Sequence, residues 1–91
     1  MNHVLEHDTL NHRITCVVDG LTSVLDYTLA DTLMTITHTE VPPVLRGRGI
    51  AAELTRFALD AARREGWRVR PRCSYADAFT RAHAEYQDLL A

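Results

Sequence analysis

Lysine is absent from these 91 residues, and all ten basic side chains are arginine, set against twelve acidic ones for a net charge of −2. A nucleotide P-loop is thereby excluded, because its glycine-rich turn needs a lysine to reach the phosphates. The charge balance argues against nucleic acid as a general partner, yet most arginines fall between Arg46 and Arg72, a local excess that suits a phosphorylated ligand. Cysteine is scarce. Cys16 and Cys73 lie far apart and make no metal-ligand spacing, so no metal is expected and both read as free thiols. No apolar run approaches the length of a membrane span, and residues 1–8 lack the basic region and apolar core of an export signal. No membrane partner and a cytoplasmic location are therefore expected. With 46% apolar and 24% charged residues and no repeat or linker, residues 1–91 should form one domain that buries roughly two-thirds of the surface of the unfolded chain.

What is present is strand-like alternation followed by helical periodicity. Val4 to Asp8 reads as a short edge strand, with His3 and His7 solvated. Residues 13–19 alternate with Ile14, Cys16 and Val18 on one face, which makes Cys16 a small core residue. Asp19-Gly20 is a two-residue hairpin signal, and residues 21–29 alternate again with Leu21, Leu25, Tyr27 and Leu29 on one face. A further turn near Asp31 leads into residues 32–41, rich in threonine, isoleucine and valine. Along this strand Met34, Ile36, His38 and Glu40 share a face, unless a bulge intervenes.

The chain is organised around residues 41–54, where Pro42 and Pro43 stop a strand and a turn containing Gly47 and Gly49 opens a helix. Glycine permits positive φ and close backbone approach, so the N–H groups from about Arg46 to Ala51 can converge in front of the helix dipole, flanked by Arg46 and Arg48. The helix places Ile50, Leu54, Phe57, Ala58 and Ala61 on one face, and ends at Gly66 after Arg63 and Arg64. Residues 67–73 alternate strictly and should run parallel to the strand before the turn, by a right-handed crossover. Pro71 cannot complete a ladder, which fits either a gap between the parallel strands or an edge position. Ser74 and Asp77 have capping-box spacing for a second helix, and the tail ends in a short helical piece carrying Tyr86, Leu89 and Leu90.

Read from Arg46, the turn is Arg-x-x-Gly-x-Ala, which resembles the signature with which the GNAT superfamily of N-acetyltransferases binds the pyrophosphate of coenzyme A through backbone amides. With residues 38–51 and the later Cys73-Ser-Tyr, nearly the whole chain resembles the short single-domain GNAT-like family. That resemblance implies an α/β (α+β) minimal GNAT core, a mainly antiparallel sheet with a splayed parallel strand pair around the central helix. It also implies acetyl-CoA as cosubstrate, an amine acceptor that the sequence does not name, and a cradle made of Val41, Arg46, Gly47, Arg48, Gly49, Ile50 and Ala51. In the family, a bulge in the strand before the turn frees backbone groups for the pantetheine arm.

Acyl transfer also needs a base and a reacting centre. Glu40 and His38, at the strand end before the turn, read either as bases or as solvated residues. Cys73, after a parallel strand and before a helix N-terminus, reads either as an acyl-accepting nucleophile or as a small apolar plug. Only Thr9 to His12 fills the place where longer GNAT enzymes have helices that help to wall the acceptor site. Three readings follow: an N-acetyltransferase, a non-catalytic acyl-CoA-binding module, or a small sheet-based interaction protein.

Overall fold

The computed structural model describes residues 3–91. Strands β1 (Val4–Asp8), β2 (Arg13–Val18), β3 (Leu21–Ala30), β4 (Leu33–Glu40) and β5 (Arg68–Pro71) form one sheet in the order β1-β2-β3-β4-β5. The first four make an antiparallel meander. Helix α1 (Ile50–Glu65) then returns the chain so that β5 lies parallel to β4. Helix α2 (Ser74–Ala82) and a 3₁₀ segment (Ala84–Leu89) complete the mixed α/β architecture.

The meander follows from its turns and alternation. Asp19 (φ 53°) and Gly20 (φ 75°) both adopt left-handed conformations, the geometry whose twist matches the flanking strands. Alternation puts Ile14, Cys16, Val18, Leu25, Tyr27, Met34 and Ile36 on one buried face. Ser23 takes the buried slot next to Leu25, whereas Leu21 at the strand start is exposed. The two N-terminal histidines are not solvated as expected. The Tyr27 hydroxyl and His7 Nε2 lie 2.7 Å apart in a hydrogen bond, and His3 Nδ1 pairs with Glu53. The sequence signal for His7 was its spacing from Leu5, which puts it on the core face of β1.

Helix α1 lays its apolar stripe on this face, burying Ile50, Leu54, Ala58, Leu59, Ala61 and Ala62. Each large side chain removed from water contributes about 1.5–3 kcal/mol, which fixes the helix axis and hence its N-terminus. Gly66 (φ 77°) ends it: its N–H and that of Trp67 donate back to the last turn, Trp67 to the Ala62 carbonyl at 2.9 Å. Helix α2 and the 3₁₀ segment join the same core through Ala76, Phe79, Tyr86 and Leu89. The opposite sheet face carries no helix among the described residues.

One sequence expectation needs correction. Ser74 is the first residue of α2 rather than its cap; the cap position is Cys73, with no side-chain capping bond, and Asp77 pairs with Arg81 instead. The edge reading of Pro71 holds. Arg68 and Arg72 donate their N–H groups to the carbonyls of Thr32, just before β4, and of Ile36, so Pro71 between them faces away from β4 and forfeits no ladder bond. The strand is the sheet edge, touched on its far side by Leu90.

Candidate active site

The parallel ladder ends at Ile36 opposite Pro71, while β4 runs on to Glu40. At that same point β4 bulges. Asp26 pairs with His38 but Tyr27 pairs with Ile36, so Thr37 is the extra residue. The bulge splits the expected row: Met34 and Ile36 stay on the core face, while His38 and Glu40 move together to the open face and Thr39 takes their place inward. Beyond Ile36 the β5 side of β4 faces no strand, and the resulting cleft leads to the glycine turn.

In the turn, prolines set a 3₁₀ segment, Pro43–Leu45, that buries Leu45 and uses the Arg46 N–H on the Pro43 carbonyl. The Arg46 amide is thus committed, and the cradle begins at Gly47. Gly47 (φ 85°) and Gly49 (φ 78°) bend the chain into α1, and a Cβ at either would meet only open space, so the backbone conformation is what demands glycine. The helix ladder starts with Glu53 donating to the Gly49 carbonyl at 3.0 Å. The N–H groups of Ile50, Ala51 and Ala52 precede it and point out of the positive end of the dipole.

A cavity of about 580 Å³ lies in front of these amides. Of the predicted residues, Glu40, Val41, Arg46, Gly47, Gly49, Ile50 and Ala51 line it together. Thr39, Leu45, Ala52 and Tyr75 also line it and were not singled out from sequence. Tyr75 lies two residues beyond Cys73, within the same short motif, and burial pushes its phenol up from the usual value. The bulge that turns Thr39 inward leaves no pattern in the sequence.

Three predicted residues stand apart from the wall. Arg48 swings away to bond Asp19 of the β2–β3 turn at 3.0 Å, tying the glycine turn to the meander instead of flanking the anion position. His38 lies on the open face, its Nε2 3.4 Å from Glu40, and both side chains are more than half exposed. Cys73 sits behind the cavity, half-buried, with its thiol 3.6 Å from the hydroxyl of the lining residue Thr39. By contrast Cys16 is fully buried, and burial pushes its thiol up.

Comparison with known proteins agrees with this geometry. A family model for the GCN5-related N-acetyltransferases matches residues 13–89. Protein NATD1 of Bos taurus is 35% identical over 80 residues, spanning 85% of this chain and 71% of that protein. The NMR solution structure of a GCN5-like protein from Staphylococcus aureus superposes with a TM-score of 0.76 over 97% of this chain and 87% of its own. At 21% identity that likeness establishes the fold. With the matched segment running from β2 to the last turn, the chain belongs to the GCN5-related N-acetyltransferase family.

Proposed function

We propose that the protein binds acetyl-CoA in the cavity before α1 and transfers the acetyl group to an amine. The observation that carries this reading is the convergence of Gly47, Gly49 and the first amides of α1 on one open cavity, with Arg46 in its wall. The donor set fits a pyrophosphate: N–H groups at a helix N-terminus and one guanidinium, with the Glu40 carboxylate at the strand end of the lining, away from these donors in sequence. Leu45, Ile50 and Val41 supply apolar surface for an alkyl arm, and the unpaired edge of β4 supplies backbone groups for its amides. Acetyl-CoA brings the activated thioester. This chain's part is to orient it, to neutralise the incoming amine, and to support the developing oxyanion.

Glu40 and His38 are the bases in this reading, because they stand together at the mouth of the cleft, and either can take the proton that the amine sheds. A thioester running past the end of the β4–β5 ladder would meet Cys73, a reading supported by its contact with the lining residue Thr39 at 3.6 Å. One observation favours a second reading, a binder without turnover: His38 and Glu40 stand on a sheet face with no wall above them among the described residues.

Thioester consumption with a panel of amines tests the proposal, measured on wild type, Glu40→Gln and His38→Ala. A base acts in the transition state, so one of the two variants should lose about a hundredfold in kcat while holding acetyl-CoA as tightly as wild type. Acetyl-CoA bound but no amine acetylated would establish the second reading. Full activity in both variants would leave His38 and Glu40 as solvated side chains with no part in turnover.

A further inference from the structure

Cys16, on the buried face of β2, does not pair with Cys73; it meets His3 and Glu53. We propose that His3 Nδ1, Cys16 Sγ and a Glu53 carboxylate oxygen form a binding site for a divalent transition-metal cation of the zinc type. The three ligand atoms all lie within 4.8 Å of one another, and they come from three separate places in the fold: the segment before β1, the centre of β2, and the first turn of α1. A tetrahedral zinc with bonds of about 2.0–2.3 Å holds neighbouring ligands roughly 3.3–3.6 Å apart, so the ion would take the place of the hydrogen bond that joins His3 to Glu53, those two side chains parting while the Cys16 sulfur completes the set.

The chemistry of the set fits that ion. Thiolate, imidazole and carboxylate are the ordinary protein ligands of zinc, and thiolate plus carboxylate offset both positive charges. A second, independent observation lies next to the sulfur. Ser23 is the cross-strand partner of Cys16 on the same buried face, fully buried, and its hydroxyl has no hydrogen-bond partner. Cross-strand partners on one face sit about 4.5–5.5 Å apart at Cβ, so this hydroxyl can donate to a thiolate formed there. Such outer hydrogen bonds are what a metal-bound sulfur needs and what a neutral apolar cysteine does not. The cation replaces the thiol proton: the S–metal bond forms and the proton leaves to solvent.

The ion would clip the start of the edge strand to the helix whose N-terminus forms the cradle. Glu53 directly follows Ala52, the last α1 residue of the cavity wall, so cation binding stiffens α1 where its first amides emerge.

Titration of the tag-free chain with Co2+ reads the site directly. One equivalent should give a thiolate-to-cobalt charge-transfer band in the near ultraviolet, with release of about one proton per ion; Zn2+ should displace the cobalt and raise Tm. The band should vanish in Cys16→Ser and persist in Cys73→Ala. Because Cys16 is a core position, Glu53→Gln and His3→Ala serve as variants that leave the core packing in place, and each should weaken Co2+ by about tenfold or more, the size seen even for outer-shell losses. No thiolate band, a band that survives Cys16→Ser, or unchanged affinity in both Glu53→Gln and His3→Ala would overturn the site.

Discussion

His7 shows how one half-buried side chain ties acidity to stability. Its imidazole lies under β1 against Tyr27 and Phe57, and burial first, then the charge of Arg64, lowers its pKa below the usual 6.5. The neutral ring accepts a hydrogen bond from the Tyr27 hydroxyl, whose own pKa burial raises. Just below pH 6.5 the unfolded chain therefore binds a proton that the folded protein does not. The stability contributed by neutral His7 is whole above pH 6.5 and is lost as pH falls from there through the folded value. Urea unfolding between pH 7.5 and 5 should show wild type losing stability with acid more steeply than His7→Gln, which keeps an acceptor for the hydroxyl but cannot titrate. Parallel curves for the two proteins would contradict this assignment.

At the scale of elements, the site depends on two strands parting company. β4 and β5 pair up to Ile36 and Pro71; then Thr37 bulges, β5 ends, and α2 starts at Ser74. Cys73 is the hinge of this divergence, with both its own N–H and that of Arg72 donating to the Ile36 carbonyl at 3.0 Å. If the acyl arm of the cosubstrate runs through the cleft, saturating CoA should protect Cys73 from brief iodoacetamide treatment, and without CoA Cys73 should label well ahead of the fully buried Cys16. Faster labelling of Cys16, or no protection by CoA, would remove Cys73 from the cleft. Alternation made the strands legible in sequence, and helical spacing with Gly66 made α1 legible to within a residue of its observed ends. The bulge was expected from the family resemblance and not from the residues: with threonine at every second position from Thr35 to Thr39 it has no local signature, and the pairing with β3 fixes it at Thr37. The capping box failed for a related reason. Ser74 and Asp77 have the right spacing, but the pull of the Ile36 carbonyl on the Cys73 and Arg72 amides sets the helix start one residue earlier.

On the scale of the whole molecule, the helices and the 3₁₀ segment cover one face of a five-stranded sheet, and the cradle is where the covering begins. The glycine turn was readable because positive φ at Gly47 and Gly49 is demanded by backbone geometry within the turn itself. The destination of Arg48 was not, since its partner Asp19 lies 29 positions away across the fold. The outward display of His38 and Glu40 was hidden for the same reason, being decided by β3. The central claim is that the amides opening α1 hold the pyrophosphate of acetyl-CoA. Assigned amide NMR spectra recorded during a CoA titration test it most directly. The account predicts the largest shifts at Gly47, Gly49, Ile50, Ala51 and Ala52, weakening with salt. It also predicts affinity lower by about tenfold or more in Gly49→Val, where a left-handed β-branched residue costs roughly 1–3 kcal/mol of strain. Shifts centred elsewhere, such as the His7, His12 and Trp67 cavity at the far end of α1, or unchanged affinity in a folded Gly49→Val, would contradict it.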